Sequence, residues 1–350
     1  MENISSTPSV SVVVPVYNSS RYLRQAIESA ANQTLENIEI IIVNDGSTDE
    51  SLDIIKEYAD RDSRIVIIDQ PNGGVGNAIN NGIAMAKGEY LAEMDSDDYV
   101  KPEMYEELYK RAKAHDLDIA ISNYYEFTGT GEQFSATQKR FFTNPEWYDR
   151  ELFPKDFYDR SSEKYLQGFA WCVIWTALYR REFLGENNIK WNESVRAYND
   201  NGFWFQTRTL AKKIMYVDEA YYFYRRDNAA STINNFEKFE QDFFGEQTFI
   251  KDFLTKKGLW NDLKDFYIKR IFADYIDFAL ARIQYNRINQ FCQKISAMLS
   301  EYAEEIREIS QKTFSEREWQ MLHEIMDDPL TFAQKYKLSL MKNLMDSRKS

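Results

Sequence analysis

The sequence predicts an α/β fold: a mostly parallel sheet flanked on both faces by helices, followed by an all-helical C-terminal region. Three observations carry this reading. Five short apolar runs alternate with helix-period segments over the first third of the chain. Polar or acidic residues recur where those runs stop. From about Glu237 the chain reads as helix throughout, with glycine only at positions 245 and 258. The expected boundary lies near residue 235, giving a domain of residues 1–235 and a helical region of residues 236–350.

The elements follow in order. "SVSVVVPVYN" opens with Val10, Val12, Val13 and Val14, β-branched residues suited to a strand buried on both faces. Pro15, which has no N–H, is expected to mark its end. Ser19 or Ser20 can cap a helix with Leu23, Ala26, Ile27, Ala30 and Ala31 on its apolar face. "IEIIIV" is a second strand, and "DGSTD" turns into a helix capped by Ser47 or Thr48. "RIVIID" is a third strand. "NGGVGNAINNGIAMAKG" is a glycine-rich turn into a helix that stops near Gly88. "EYLAEMD" is a fourth strand ending at Asp95, and Pro102 suits the first turn of the next helix. "LDIAIS" is a fifth strand. Residues 125–165 carry no clean period and read as an insertion or loop region. Periodicity returns at "CVIWTALYRREFL" and at Phe203–Ala211, with short strands near Ile214–Val217 and Tyr221–Tyr224.

Composition narrows the function. The chain has 350 residues, 43% apolar, enough for a full core. A net charge of −13 argues against a nucleic-acid partner, which would call for a basic patch. Cys172 and Cys292 stand far apart, without a CxxC, which fits a reducing, cytoplasmic setting rather than a disulfide framework or a thiolate zinc site. The only histidines are His115 and His323, so catalysis cannot rest on a histidine cluster. A metal would have to be held by carboxylates, which favour Mg²⁺ or Mn²⁺. The opening apolar run is too short for a membrane span and has no basic segment before it.

Three polar clusters fall at expected strand ends: Tyr17-Asn18, Asn44-Asp45-Gly46 and Asp95-Ser96-Asp97-Asp98. In an open α/β sheet such ends converge on one crevice. A single Asp-Gly at a strand end is an ordinary turn; three clusters together point to a ligand. In "DSDD", like charges repel by roughly 4 kcal/mol at about 4 Å in a medium of dielectric near 20, a cost best met by a bound cation. An EF-hand is excluded, because its sixth position is Val100 rather than glycine and Pro102 breaks the loop. A solvated capping cluster is the alternative. "NGGVGN" is no dinucleotide fingerprint, since it does not follow the first strand. Its glycines let the backbone approach a ligand ahead of a helix.

"VVVPVYN", "IIVNDGSTD", "NGGVGNAINNGIAMAKGEYLAEMDSDD" and "WTALYRREFL", in that order, resemble the inverting family 2 glycosyltransferases over about residues 9–232. The resemblance implies the A-type fold, a Rossmann-like nucleotide-sugar-binding sheet. It implies that Pro15, Tyr17 and Asn18 lie along the nucleotide and that Asp45 accepts a hydrogen bond from a uracil N–H. Asp95 would reach the ribose, and Asp97 would hold Mn²⁺ or Mg²⁺ on the diphosphate. Asn72, Gly74, Asn77, Ser96 and Ser231 complete the expected nucleotide-sugar set. Two departures stand out. The family's Glu-Asp at the catalytic base is here Asn199-Asp200, leaving Asp200 as base. The Arg-x-His near the end of the domain is replaced by "YRRDNAAST", which offers Arg225 or Arg226 to neutralise the diphosphate, or else an ordinary surface pair, and no histidine ligand.

The aromatic group Trp171, Trp175, Trp191, Phe203 and Trp204 fills a core or lines an acceptor cleft; by the resemblance Trp175 is the acceptor-side candidate. The expected activity is metal-dependent, inverting transfer of a hexose from a UDP-sugar to a saccharide, lipid-linked or protein-linked glycan acceptor. Bacterial cell-surface polysaccharide or glycoprotein glycan synthesis is the implied setting. Sugar nucleotidyl transfer is the competing chemistry, but it calls for a glycine-rich, basic loop after the first strand, and "PVYNSSRYL" has no glycine. A non-catalytic scaffold is the third reading. Near the C-terminus, Lys335, Lys337, Lys342, Arg348 and Lys349 outnumber Asp346, with Leu338, Met341, Leu344 and Met345 on one helical face. That face suits a weak contact with anionic lipid at the inner face of the membrane, or packing on the domain or a second subunit.

Overall fold

The structure, a computed structural model, describes residues 7–142, 144–158, 172–231, 240–273, 279–309 and 313–347. The elements in chain order begin β1 (Val10–Val16), α1 (Ser20–Ala31), β2 (Ile38–Asp45), α2 (Ser51–Ala59), β3 (Ile65–Gln70), α3 (Val75–Met85) and β4 (Tyr90–Glu93). Next come β5 (Tyr99–Val100), α4 (Met104–His115), β6 (Ile119–Thr128), β7 (Ser135–Lys139), α5 (Lys155–Tyr158), β8 (Ala177–Arg180), α6 (Arg181–Glu186), α7 (Asp200–Leu210) and β9 (Ile214–Arg225). The helices α8 (Glu240–Lys256), α9 (Trp260–Ala273), α10 (Ile288–Ser300), α11 (Ala303–Glu308), α12 (Glu316–Asp327) and α13 (Pro329–Ser347) follow.

Contacts divide the chain into two compact units, Met1–Ser231 with Gln241–Ile250, and Thr232–Glu240 with Lys251–Ser350. The first unit is built on a sheet of strand order β3-β2-β1-β4-β8-β6-β9-β5, with β7 paired to β6. The strands β3, β2, β1 and β4 are mutually parallel, as the βα alternation predicts. Beyond β4 the pairing becomes mixed: β8 is antiparallel to both β4 and β6, while β6 and β9 are parallel. The antiparallel strand β7 comes from the middle of the chain, where no period announced it, and β8 from the periodic segment "CVIWTALYRREFL". The segment read as a loop from residue 125 instead continues β6 to Thr128 and returns along β7. The two short strands expected near 214 and 221 are one continuous β9.

Every residue of β1 is buried, as its valines require. Pro15 does not end the strand; it pairs with Val43 inside it. The Val13 carbonyl faces β4 and takes the Met94 N–H. Pro15, two residues on, faces the same side, beyond the last β1–β4 pair, so its missing N–H costs no ladder bond. The helix caps also differ from expectation. Neither Ser19 nor Ser20, and neither Ser47 nor Thr48, caps with its side chain. Asp49 accepts from Ser20 N–H through Oδ2 and from Ser51 N–H through Oδ1, both at 3.0 Å. One carboxylate therefore caps both α1 and α2, and these bonds hold it below its ordinary pKa against the opposing effect of partial burial.

The second unit is helical. Its interior includes Leu254, Leu263, Tyr267, Ile271, Phe291, Ile295, Leu299, Leu322 and Ile325. Ser315 and Glu318 form a reciprocal capping box on α12. On α13, Phe332 and Ala333 are buried whereas Leu338 and Met341 are exposed. The side chains of Leu344, Met345, Asp346, Arg348 and Lys349 lie outside the described residues. Among the described residues no helix is long and apolar enough to cross a membrane.

Candidate active site

The carboxyl ends of β1, β2 and β4 bring the three polar clusters together. At the end of β1, Tyr17 is 53% exposed, and Asn18 sits at φ +50°. The Asn18 Oδ1 accepts from Thr48 N–H (2.7 Å), and its own N–H donates to Ser47 Oγ (3.0 Å), tying the first two loops together. Ser19 and Ser96 share a hydrogen bond of 2.7 Å, which joins the β1 loop to the acidic loop after β4.

Asp45 ends β2 almost fully buried. Its Oδ1 accepts from Gln70 Nε2 (2.9 Å) and Gly73 N–H (2.8 Å), and its Oδ2 accepts from Gly74 N–H (2.9 Å). Asn72 Nδ2 donates to the Asp45 carbonyl (3.0 Å). The carboxylate thus shapes the glycine-rich turn ahead of α3, and Gly74, at φ +88°, takes a conformation that side chains disfavour. Asn77 accepts from Gln70 through Oδ1 and donates to Glu193 (3.0 Å). Asn80 donates to Glu193 as well (2.7 Å), and these two amides lower the pKa of that exposed carboxylate.

Asp95, Asp97 and Asp98 each place a carboxylate oxygen within 4.8 Å of the others. Their surroundings separate their roles. Asp98 is buried and takes one donor on each oxygen: Tyr222 Oη donates to Oδ2 (2.8 Å) and Arg225 N–H to Oδ1 (2.7 Å). Asp97 accepts from Asn228 Nδ2 at 2.7 Å. Burial first, then the charges of Asp97 and Asp200, push Asp95 up to about 7. Glu93, buried at the end of β4, is raised well above its ordinary range by burial and by Asp95, Asp98 and Asp200, and its Oε2 meets no donor. None of these carboxylates has a basic partner within ion-pair distance among the described residues. All the donors are hard oxygens, the set that suits Mg²⁺ or Mn²⁺. The group of Asp95, Asp97 and Asp98 therefore suits a divalent cation.

The strand β9 straps this loop. Its pairing with β5 brings up Tyr222, whose Oη also accepts from Asp95 N–H (3.1 Å). Arg225 is no surface residue: it is 3% exposed and lies between the rings of Tyr22 and Phe127. Its guanidinium donates to the Asp97 carbonyl (2.8 Å) and Gln25 (2.9 Å). Arg226 lies exposed over Tyr224. The Ser231 N–H donates to the Asn228 carbonyl. Trp175 is half-buried, stacked on Tyr224 and tilted against Tyr222, with centroids at 5.0 and 4.3 Å. Trp191, Phe203 and Trp204 are core, and Trp171 lies outside the described residues.

Asp200 is the first residue of α7, half-buried, and its charge is felt at Glu93 and Asp95. The sequence reading missed Glu93, Tyr222 and Glu246; it named Asn228 only as one of the residues that "YRRDNAAST" offers. Glu93 interrupts an apolar strand, and Glu246 lies three residues after buried Phe243 and four before buried Ile250. A charged residue on an apolar stripe was the available signal.

The model for Glycosyl transferase family 2 matches residues 11–187. The chain belongs to this family. The uncharacterized glycosyltransferase EpsJ of Bacillus subtilis is 35% identical over 63% of the chain and 62% of its own length. The putative glycosyltransferase EpsH of the same organism is 36% identical over 66% and 64%. The chain thus spans a little under two thirds of these family 2 relatives. The cholesterol galactosyltransferase of Borreliella burgdorferi is 31% identical over 79% of the chain and 76% of its own length. The crystal structure of S. aureus TarS 1–349 with UDP superposes with a TM-score of 0.69 over 96% of the chain and 92% of TarS, at 19% identity, a likeness of fold. The same fragment is also solved with UDP-GlcNAc, at a TM-score of 0.59 over 96% of the chain and 92% of that fragment.

Proposed function

We propose that the chain is a metal-dependent inverting glycosyltransferase that moves a hexose from a UDP-sugar to a saccharide or glycan acceptor. Bacterial cell-surface polysaccharide or glycoprotein glycan synthesis, on the cytoplasmic side of the membrane, is the setting proposed for it. One observation carries the reading. Carboxylates from two distant parts of the chain, Asp95 and Asp97 after β4 and Asp200 at the start of α7, act on each other electrostatically at the carboxyl edge of the sheet. The complexes of TarS with UDP and UDP-GlcNAc support the choice of donor.

In this reading Tyr17 offers its exposed ring to the base, alongside Pro15 and Asn18. The Asp45 Oδ2, with one protein donor, keeps acceptor capacity for a uracil N–H. Asp95 meets the ribose next to Ser96, and the turn from Asn72 through Gly74 to Asn77 lies against the donor. Asp97 would hold Mn²⁺ or Mg²⁺, which would supply positive charge for the departing diphosphate. Arg226, with Ser231 nearby in sequence, adds positive charge from the β9 end, while Arg225 fixes the Asp97 loop. Asp200 takes the proton from the acceptor hydroxyl as that oxygen attacks the anomeric carbon opposite the leaving UDP. Trp175, stacked on Tyr224, presents an aromatic wall to the acceptor.

The test is a panel of UDP-glucose, UDP-galactose, UDP-GlcNAc and UDP-GalNAc with Mn²⁺, scored for UDP release and for thermal stabilisation. Metal-dependent release from one or two of them is the expected result. No release and no stabilisation by any member would overturn the donor assignment.

A further inference from the structure

We propose that Glu246, on α8, is a positioning residue for the Asp200 carboxylate. The inference rests on the reading of Asp200 as the base. The first turn of a helix leaves backbone N–H groups without partners. At α7 the N-cap residue is Asn199, but it does not cap; its Nδ2 donates to the Asn192 carbonyl at 3.1 Å. The Gly202 N–H instead donates to Glu246 Oε1 at 2.6 Å. Glu246 Oε2 accepts from Asn192 Nδ2 at 2.8 Å. Asn192 is itself fixed, since its Oδ1 accepts from Ser194 N–H (3.0 Å) and Ser194 Oγ (2.7 Å). One fully buried carboxylate thus clamps the turn that begins with Asp200 to the segment before it.

The fit is close. A Cβ at position 202 would stand 2.3 Å from Glu246 Oε1 and 2.8 Å from the Phe249 ring, so glycine is what lets α8 approach. A simpler cap was at hand in Asn199, whose side chain is used elsewhere. Burying a carboxyl without a basic partner is costly. Burial pushes Glu246 up to about 8, against the two hydrogen bonds, and the charge of Asp200 adds to the rise. A stability device alone would avoid placing an acid there. Fixing the orientation of a base two residues away explains it, because small displacements of a catalytic group cost on the order of 10²-fold in rate.

The experiment compares Glu246→Gln, Glu246→Ala and the pair Glu246→Gln with Asn192→Asp. UDP release is followed with the donor selected from the UDP-sugar panel, and Mn²⁺-dependent UDP binding is measured by calorimetry. In Glu246→Gln the new amide faces the Asn192 amide, donor against donor. We expect kcat to fall at least about tenfold with KM and UDP affinity nearly unchanged. Asn192→Asp restores an acceptor and should recover most of that kcat. Glu246→Ala should lose more, on the order of 10²-fold. Wild-type kcat in Glu246→Gln, an equal loss of UDP affinity, or no recovery in the pair would overturn the inference. Asp200→Asn separates the two levels. If it is inactive while Glu246→Gln is normal, only the positioning role fails. If Asp200→Asn keeps its rate, the base assignment fails and the positioning role falls with it.

Discussion

Asp200 and Asp97 are the side chains on which the proposed chemistry turns, and each has a substitution that isolates it. Asn at position 200 keeps the shape and an acceptor for the Asn201 N–H, which now donates to Asp200 Oδ1 at 3.0 Å. It removes only the proton acceptor. Asp200→Asn should melt near the wild-type temperature and bind UDP with Mn²⁺ normally. Its transfer rate should fall at least about a hundredfold; a rate within a few-fold of wild type would move the proton elsewhere. The next carboxylate to test would be Glu193, which Asn77 and Asn80 hold against α3. Asp97→Ala should abolish both activity and Mn²⁺-dependent UDP binding. Calorimetry with and without EDTA checks this, and equal binding in both would refute the metal role.

The loops at the carboxyl edge hold their shape through side chains borrowed from neighbouring elements. Asp49 is the clearest case, because α1 and α2 share it as a cap. A lost cap costs about 1 kcal/mol, so Asp49→Ala should cost about 2 kcal/mol by chemical denaturation. A loss below about 0.5 kcal/mol would show that water replaces both bonds. Such caps were illegible in the sequence. Ser19, Ser47 and Thr48 stood in the right local places, but local spacing cannot show that one aspartate reaches two helix ends. The antiparallel placing of β8 was hidden for a related reason: its partners β4 and β6 are distant in sequence, and periodicity does not name a partner.

The balance of buried acids gives the whole chain a predictable response to pH. Glu246 has a folded pKa of about 8 against an ordinary value of 4.5. Between these values the folded chain holds a proton that the unfolded chain has lost, so stability falls as pH rises through that window. With EDTA present, the melting temperature should be lower at about pH 8.5 than at about pH 6. The fall should be shallower in Glu246→Gln, which cannot titrate; parallel curves for the two proteins would contradict the raised pKa. On α13, Lys335, Lys337 and Lys342 accompany exposed Leu338 and Met341 in a protein of net charge −13. The proposed contact with anionic lipid predicts that vesicles of phosphatidylglycerol capture the chain at low salt and lose it when the three lysines become glutamate. Equal flotation of both proteins would leave that face to packing or to a second copy.

The sequence by itself determined the βα alternation, the parallel half of the sheet and the residues at its carboxyl edge. Those features depend on period and on residue type, which are local. It also set Asp45, Asp95 and Asp97 along one edge, because strand ends of a parallel sheet must converge, whereas Asp200, at the start of a helix, was named only by the family resemblance. Only the tertiary structure decided what each acid does. Asp97 and Asp98 are identical neighbours, yet Tyr222 and Arg225, from the far end of the unit, donate to Asp98, whereas Asp97 takes the Asn228 amide. Arg225 became a buried brace rather than a surface charge for the same kind of reason. Glu246 entered the site from a helix that the sequence assigned to a separate region. A carboxylate's protonation and role follow from its desolvation and its donors, and those are supplied by segments that meet only when the chain is folded.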